Sequence, residues 1–195
     1  MILPQSHTLT TRHLNRVFDN TVATYKYYWF LGILDACVKQ GKSRINVWDI
    51  MISMVANAWY PVNYFRLSFG KSESLYNAIV TLQREYNIPI NISINELTEL
   101  LQVLIQRREV RRLLNFLQMN VPFRFLRPWI DTSDDKQTVL RSQTFENGCL
   151  YKLERIDHIW WIELNPAWLP YLRENYDILI SFAYWGLTNF LQVRN

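Results

Sequence analysis

The sequence predicts a mainly α-helical fold of the α+β kind, a helical domain with one small β-hairpin near residues 149–164. Two observations carry this. Apolar residues recur at helical spacing, between residues suited to start or stop a helix, over most of the chain. One stretch, CLYKLERIDHIWWIEL, alternates at the period of a strand. A content of 49% hydrophobic residues over 195 positions is ample for a packed core.

The first long helix is expected between a cap at Asn20 or Thr21 and Gln40, with Gly41 supplying a left-handed stop. Its buried stripe would be Val22, the stem of Lys26, Trp29, Ile33 and Cys37. After RINV a second helix runs from Val47 to Tyr60, burying Met51, Met54, Val55 and Ala58, and Pro61 ends it. Tyr64, Arg66 and Ser68 then face outward from an extended segment that turns Phe65, Leu67 and Phe69 inward. Ser72 or Ser74 starts a third helix, which carries Leu75, Ile79, Leu82 and Tyr86.

The stretch from Asn95 to Met119 reads as helix, but its apolar face changes sides near residues 106–109. Leu97, Leu100, Leu101 and Leu104 lie on one arc, and Val110, Leu113, Leu114 and Leu117 lie on nearly the opposite one. Either the helix breaks there or one continuous helix is shared between two subdomains; the second is the expectation. The polar run DTSDDKQ, 131–137, marks a mobile loop or a boundary. It separates a helical region, 1–130, from a hairpin with C-terminal helices, 131–195, the two packed as one domain. In the hairpin, Trp160, Ile162 and Leu164 share a face opposite Trp161 and Glu163. Asn165-Pro166 starts a short helix to Glu174, and a last helix begins at Tyr176.

Charge is concentrated. The net charge is +4, and residues 107–127 alone hold six arginines against the single acid Glu109, a local +5. Arg107, Arg108, Arg111 and Arg112 lie toward the far end of the expected long helix, where the macrodipole favours cations. Dipole order does not explain four arginines within six positions, whose repulsion a polyanion would relieve. A solvated face and a phosphate-contacting patch are both open readings. In VPFRFLRPW, Arg124 and Arg127 interleave with Phe123, Phe125 and Trp129, a composition shared by nucleic-acid stacking platforms and by ordinary ring-anchored bends.

Other motifs exclude more than they offer. Gly70-Lys71-Ser72 and Gly41-Lys42-Ser43 lack the earlier glycine of a phosphate loop, its place being taken by Phe65 and Ala36. His7, His13 and His158 are scattered and read as solvent-exposed, and no metal or cofactor set is expected. Cys37 and Cys149 form no CxxC pair and sit among apolar neighbours, which predicts inert thiols in a reducing cytoplasm. The N-terminal stretch lacks the basic and apolar regions of a signal peptide. The most apolar runs, 27–38 and 178–187, fall short of the ~20 residues a membrane span needs.

Five blocks in order, TYKYYWFLGILD, NAWYPVNYFRLSFGKS, VPFRFLRPW, LNPAWLPYLREN and FLQVRN, resemble the N-terminal region of bacterial HNH-endonuclease-domain proteins. The resemblance spans most of the chain. It implies a nuclease module following the FLQVRN position, so that no catalytic residue carries over to this chain. What it implies here is an accessory region, non-catalytic by itself, that docks nucleic acid, DNA first. Candidate phosphate contacts are Arg107, Arg108, Arg111, Arg112, Arg124 and Arg127, with Arg66 and Lys71 as weaker ones. The competing expectation is a protein-interaction or homo-oligomerisation module without nucleic-acid binding, its surplus rings forming an interface.

Overall fold

The computed structural model describes residues 3–19, 21–70 and 73–193. After a single turn, α1 (Arg12–Asn15), the chain enters α2 (Tyr25–Leu34), in which every residue from Tyr27 to Leu34 is buried. A helix apolar around its whole circumference must be wrapped on all sides, and α2 is the element the rest surrounds. On one side packs α3 (Val47–Trp59), so near that a methyl group on Gly32 would meet Ile50 Cγ2 at 2.8 Å and its carbonyl oxygen at 3.3 Å. On another packs the long α10 (Tyr176–Gln192), whose Gly186 admits the ring of Tyr27 in the same way.

Both α2 and α3 run on into π-helical turns, Asp35–Lys39 and Tyr60–Tyr64. Gly41, at φ 67°, then reverses the chain after the first, as its lack of a Cβ permits. The start of α2 differs from the expectation: Thr24 is the N-cap, and Val22 is 80% exposed. Asn20 lies outside the described residues. The regular α-helix ends at Trp59, just before Tyr60-Pro61, but the coil does not stop there: Pro61 sits inside the π turn that continues it. Because the chain is still coiled there and Arg66 takes a left-handed φ of 54°, the expected strand alternation fails. Phe65 is 64% exposed, while Phe69 is buried.

The next helix, α4, begins at Ser74 (Ser74–Glu85) and is capped by Glu73, and Ser72 lies outside the described residues. The long helix expected over 95–119 is two helices, α5 (Ile94–Leu104) and α6 (Arg108–Gln118). Tight bonds from Gln106 N to Val103 O and from Arg107 N to Leu104 O close the first helix and turn the chain. Each half then buries its own arc, Leu97, Leu101 and Leu104 in the first and Val110, Leu114 and Leu117 in the second. The change of apolar face is the corner itself, and no shared straight helix is needed.

A short α7 (Val121–Phe125) follows, then α8 (Asp135–Ser142). Within the polar run 131–137, residues 131–134 are loop and lead into α8, whose cap Asp134 accepts from Lys136 N at 2.8 Å. The sheet has three antiparallel strands in the order β1 (Arg44–Asn46), β3 (Ile159–Leu164), β2 (Tyr151–Ile156). In the β2–β3 hairpin, Asp157 and His158 both have positive φ, as a two-residue turn of matching twist requires. The added strand β1 pairs Ile45 with Ile162, placing the start of α3 against the sheet. After α9 (Trp168–Glu174), α10 closes the fold. One contiguous apolar cluster runs through both sequence regions, from Leu3 to Leu191.

Candidate nucleic-acid interface

The arginine-rich segment begins at the corner between α5 and α6. A capping box, in which Ser93 Oγ accepts from Glu96 N while Glu96 accepts from Ser93 N, starts α5. The bond from the Ser93 side chain holds the Glu96 carboxyl below its ordinary range. After the corner, Arg107 is the N-cap of α6 and makes no side-chain capping bond. The break thus reverses the electrostatic sense of the segment. Of the arginines expected near the negative end of one long helix, Arg107 and Arg108 stand at the cap and first position of a second, at its positive end, where a cation is disfavoured by about 0.3–1 kcal/mol, and Arg111 and Arg112 follow one turn on.

Two of the four are held by the protein itself. Arg111 donates from Nε to Ile105 O at 2.8 Å and from its guanidinium to Gln106 Oε1 at 3.2 Å, and its charge lies 5.6 Å from the Trp48 ring centre. It satisfies a carbonyl that the end of α5 leaves open, so it clasps the corner. Arg107 lies over Tyr86 at 5.4 Å. Arg108 and Arg112 are exposed and enter no hydrogen bond or ion pair among the described residues. Ion pairs form elsewhere, as in Lys42–Asp49, Arg44–Glu154 and Arg141–Glu146, but among the described residues none takes up an arginine of 107–127. Lys42, the lysine of one glycine-lysine-serine tripeptide, is thereby committed to Asp49.

The second group sits on and after α7. Phe123, Phe125 and Trp129 are buried, with Phe125 stacked on Phe30 at 5.8 Å and Trp129 edge-on to Trp168 at 6.1 Å. These rings anchor the bend and are not a stacking platform. Their burial turns Arg124 and Arg127 outward, where both border a cavity of about 200 Å³ together with Lys26, Tyr25 and Val121. The role of Lys26 was not legible in the sequence, where it reads as an aliphatic stem inside an aromatic run. Its ammonium donates to Val17 O at 3.0 Å.

Comparison with protein-family models, with curated proteins and with solved structures gives no match. Arg66 is exposed beside the exposed rings of Tyr64 and Phe65, and Lys71 lies outside the described residues. Among the described residues no group of three or more His, Cys, Asp or Glu is placed to hold a metal ion, and no helix is long and apolar enough to cross a membrane. His7 and His158 are exposed, whereas His13 is half-buried against Trp129 at 6.1 Å. Burial raises the thiol pKa of both cysteines, that of Cys149 to about 12, which suppresses the nucleophilic thiolate at neutral pH.

Proposed function

We propose that this chain is a non-catalytic, phosphate-contacting region that docks nucleic acid, the accessory part of an HNH-type endonuclease. The observation that carries the docking role is the α5–α6 corner. There, arginines gather at the positive end of a helix, and no carboxylate of the described residues pairs with them. A phosphodiester backbone supplies the acceptors and the negative charge that the corner lacks. Arg107, Arg108 and Arg112 are the contacts at this corner, Arg124 on α7 and Arg127 after it add to them, and Arg111 shapes the corner without being spent on the ligand. The endonuclease context rests on the resemblance of the five sequence blocks.

The division of labour is testable. Substituting Arg108 and Arg112 together with alanine should weaken binding of a labelled DNA duplex about tenfold or more, by loss of two phosphate contacts, while leaving the unfolding free energy within about 0.5 kcal/mol of wild type. Arg111→Ala should instead cost about 1–2 kcal/mol of stability, because the Ile105 carbonyl loses a charged donor. Fluorescence anisotropy and urea denaturation on the same preparations read both. Unchanged DNA affinity in the double variant would remove the corner from the interface.

A second reading, an interaction or oligomerisation module, is favoured by one feature: α10 exposes Ile178, Tyr184 and Trp185. A mass that grows with concentration, together with no affinity for DNA, would support it.

A further inference from the structure

The cavity between the start of α2 and α7 gathers three cations and no anion. Lys26, Arg124 and Arg127 border a space of about 200 Å³ whose other walls come from Tyr25, Val121 and residues 21–23. The Lys26 ammonium is fixed in place by Val17 O. Its pKa is lowered first by burial and then by Arg127, with Arg124 adding to the effect, so both guanidiniums lie near enough to repel the ammonium. Asp19 is the acid that acts against this shift, and it is engaged with Arg16 at 3.4 Å. Glu73, the buried acid at the start of α2, is taken up by Thr24 and Tyr76. Among the described residues no carboxylate forms an ion pair with Lys26, Arg124 or Arg127.

Like charges around one small cavity destabilise the empty state, and an anion that enters it removes the repulsion and meets donors already in position. Two guanidiniums match the paired oxygens of phosphate, and an ammonium adds a point charge. A monoester dianion compensates more of this charge than a diester with its single charge, and Tyr25 and Val121 offer apolar surface to the group the ester carries. We propose that the cavity is a phosphate-monoester site with Lys26, Arg124 and Arg127 as its ligands, filled by the terminal phosphate of a nucleic-acid strand or by a free nucleotide. The inference rests on the docking reading only in that Arg124 and Arg127 meet phosphate. It adds Lys26 and a preference for a terminal, doubly charged group.

The test compares two short single-stranded oligonucleotides, labelled at the 3′ end and differing only in a 5′-phosphate or 5′-hydroxyl. The phosphorylated strand should bind about tenfold tighter to the wild type, equivalent to about 1.4 kcal/mol. The preference should survive in R108A/R112A and vanish in R124Q/R127Q, two exposed positions whose substitution leaves the core intact. K26M should also lose it, with folding checked by circular dichroism. Inorganic phosphate and a nucleoside 5′-monophosphate, titrated separately, should shift the NMR signal of the Lys26 ammonium in the wild type and not in R124Q/R127Q. Such a shift with equal affinity for the two strands would identify a free nucleotide as the occupant and keep the site. A surviving shift in a protein that binds no nucleic acid at all would overturn the docking reading alone. Equal affinity for the two strands with no Lys26 response to either titrant would overturn the site.

Discussion

Replacing Glu73 with alanine is expected to destabilise the protein by about 2–4 kcal/mol, because three donors lose their acceptor where water has little access. Glu73 is only 5% exposed. It accepts from Thr24 Oγ1 at 2.6 Å, Thr24 N at 3.2 Å and Tyr76 N at 2.9 Å. One carboxylate thus caps α4 and ties it to the start of α2, 49 residues earlier, where the cationic cavity begins. Burial raises its pKa above the ordinary value, against the lowering effect of these bonds. The native state therefore holds the Glu73 proton at pH values where the unfolded chain has released it. By linkage, stability falls as pH rises from the ordinary carboxylate value through the raised native one, and the full penalty remains above it. Denaturant midpoints collected across this range should show that fall in the wild type, and the component should be missing in Glu73→Gln. Parallel pH profiles for the two proteins would contradict the assignment.

Tyr151→Phe should cost about 2–4 kcal/mol although it removes a single oxygen, since two buried partners are left unsatisfied. The Tyr151 hydroxyl accepts from Trp29 Nε1 at 3.1 Å and donates to Pro122 O at 2.7 Å, and all three groups are buried. This one oxygen joins the middle of α2, the first strand of the hairpin and the first turn of α7. The ring itself, stacked on Phe125 at 6.2 Å, would remain, so packing is conserved and the loss reports the bonds. A double-mutant cycle with Trp29→Phe separates the Trp29 half from the Pro122 half, because Trp29→Phe also removes indole packing that only the cycle cancels. A coupling energy near zero would show that the bond contributes nothing to stability.

Local signals made the helices legible, and long-range partners explain where the sequence misled. Of the two apolar arcs on either side of residues 106–109, Leu97, Leu101, Leu104, Val110, Leu114 and Leu117 are buried while Leu100 and Leu113 are only partly so, and a wheel cannot distinguish a corner from a shared helix. The corner depends on Arg111 reaching back to the Ile105 carbonyl, a contact with no signature in spacing. Similarly, Ser74 is a good cap by type, but Glu73 takes the role, with Thr24 meeting it from far away in the chain. The short strand Arg44–Asn46 is formed by the hairpin edge it joins. Of the candidate site, the arginine positions were evident from composition alone. Their separation into a clasp, Arg111, exposed side chains without a partner among the described residues, Arg108 and Arg112, and a cavity pair, Arg124 and Arg127, came only with the fold. Lys26 completes that pair by folding back from the N-terminal third, as no linear motif could announce.

The proposed phosphate binding is by arginines that have no carboxylate partner among the described residues. It is tested most directly by the salt dependence of duplex DNA binding. With Arg107, Arg108, Arg112, Arg124 and Arg127 as contacts, log affinity should fall with log salt at a slope of about −4, and R108A/R112A should reduce that slope by about 2. A slope indistinguishable from zero, or one untouched by the double variant, would contradict it.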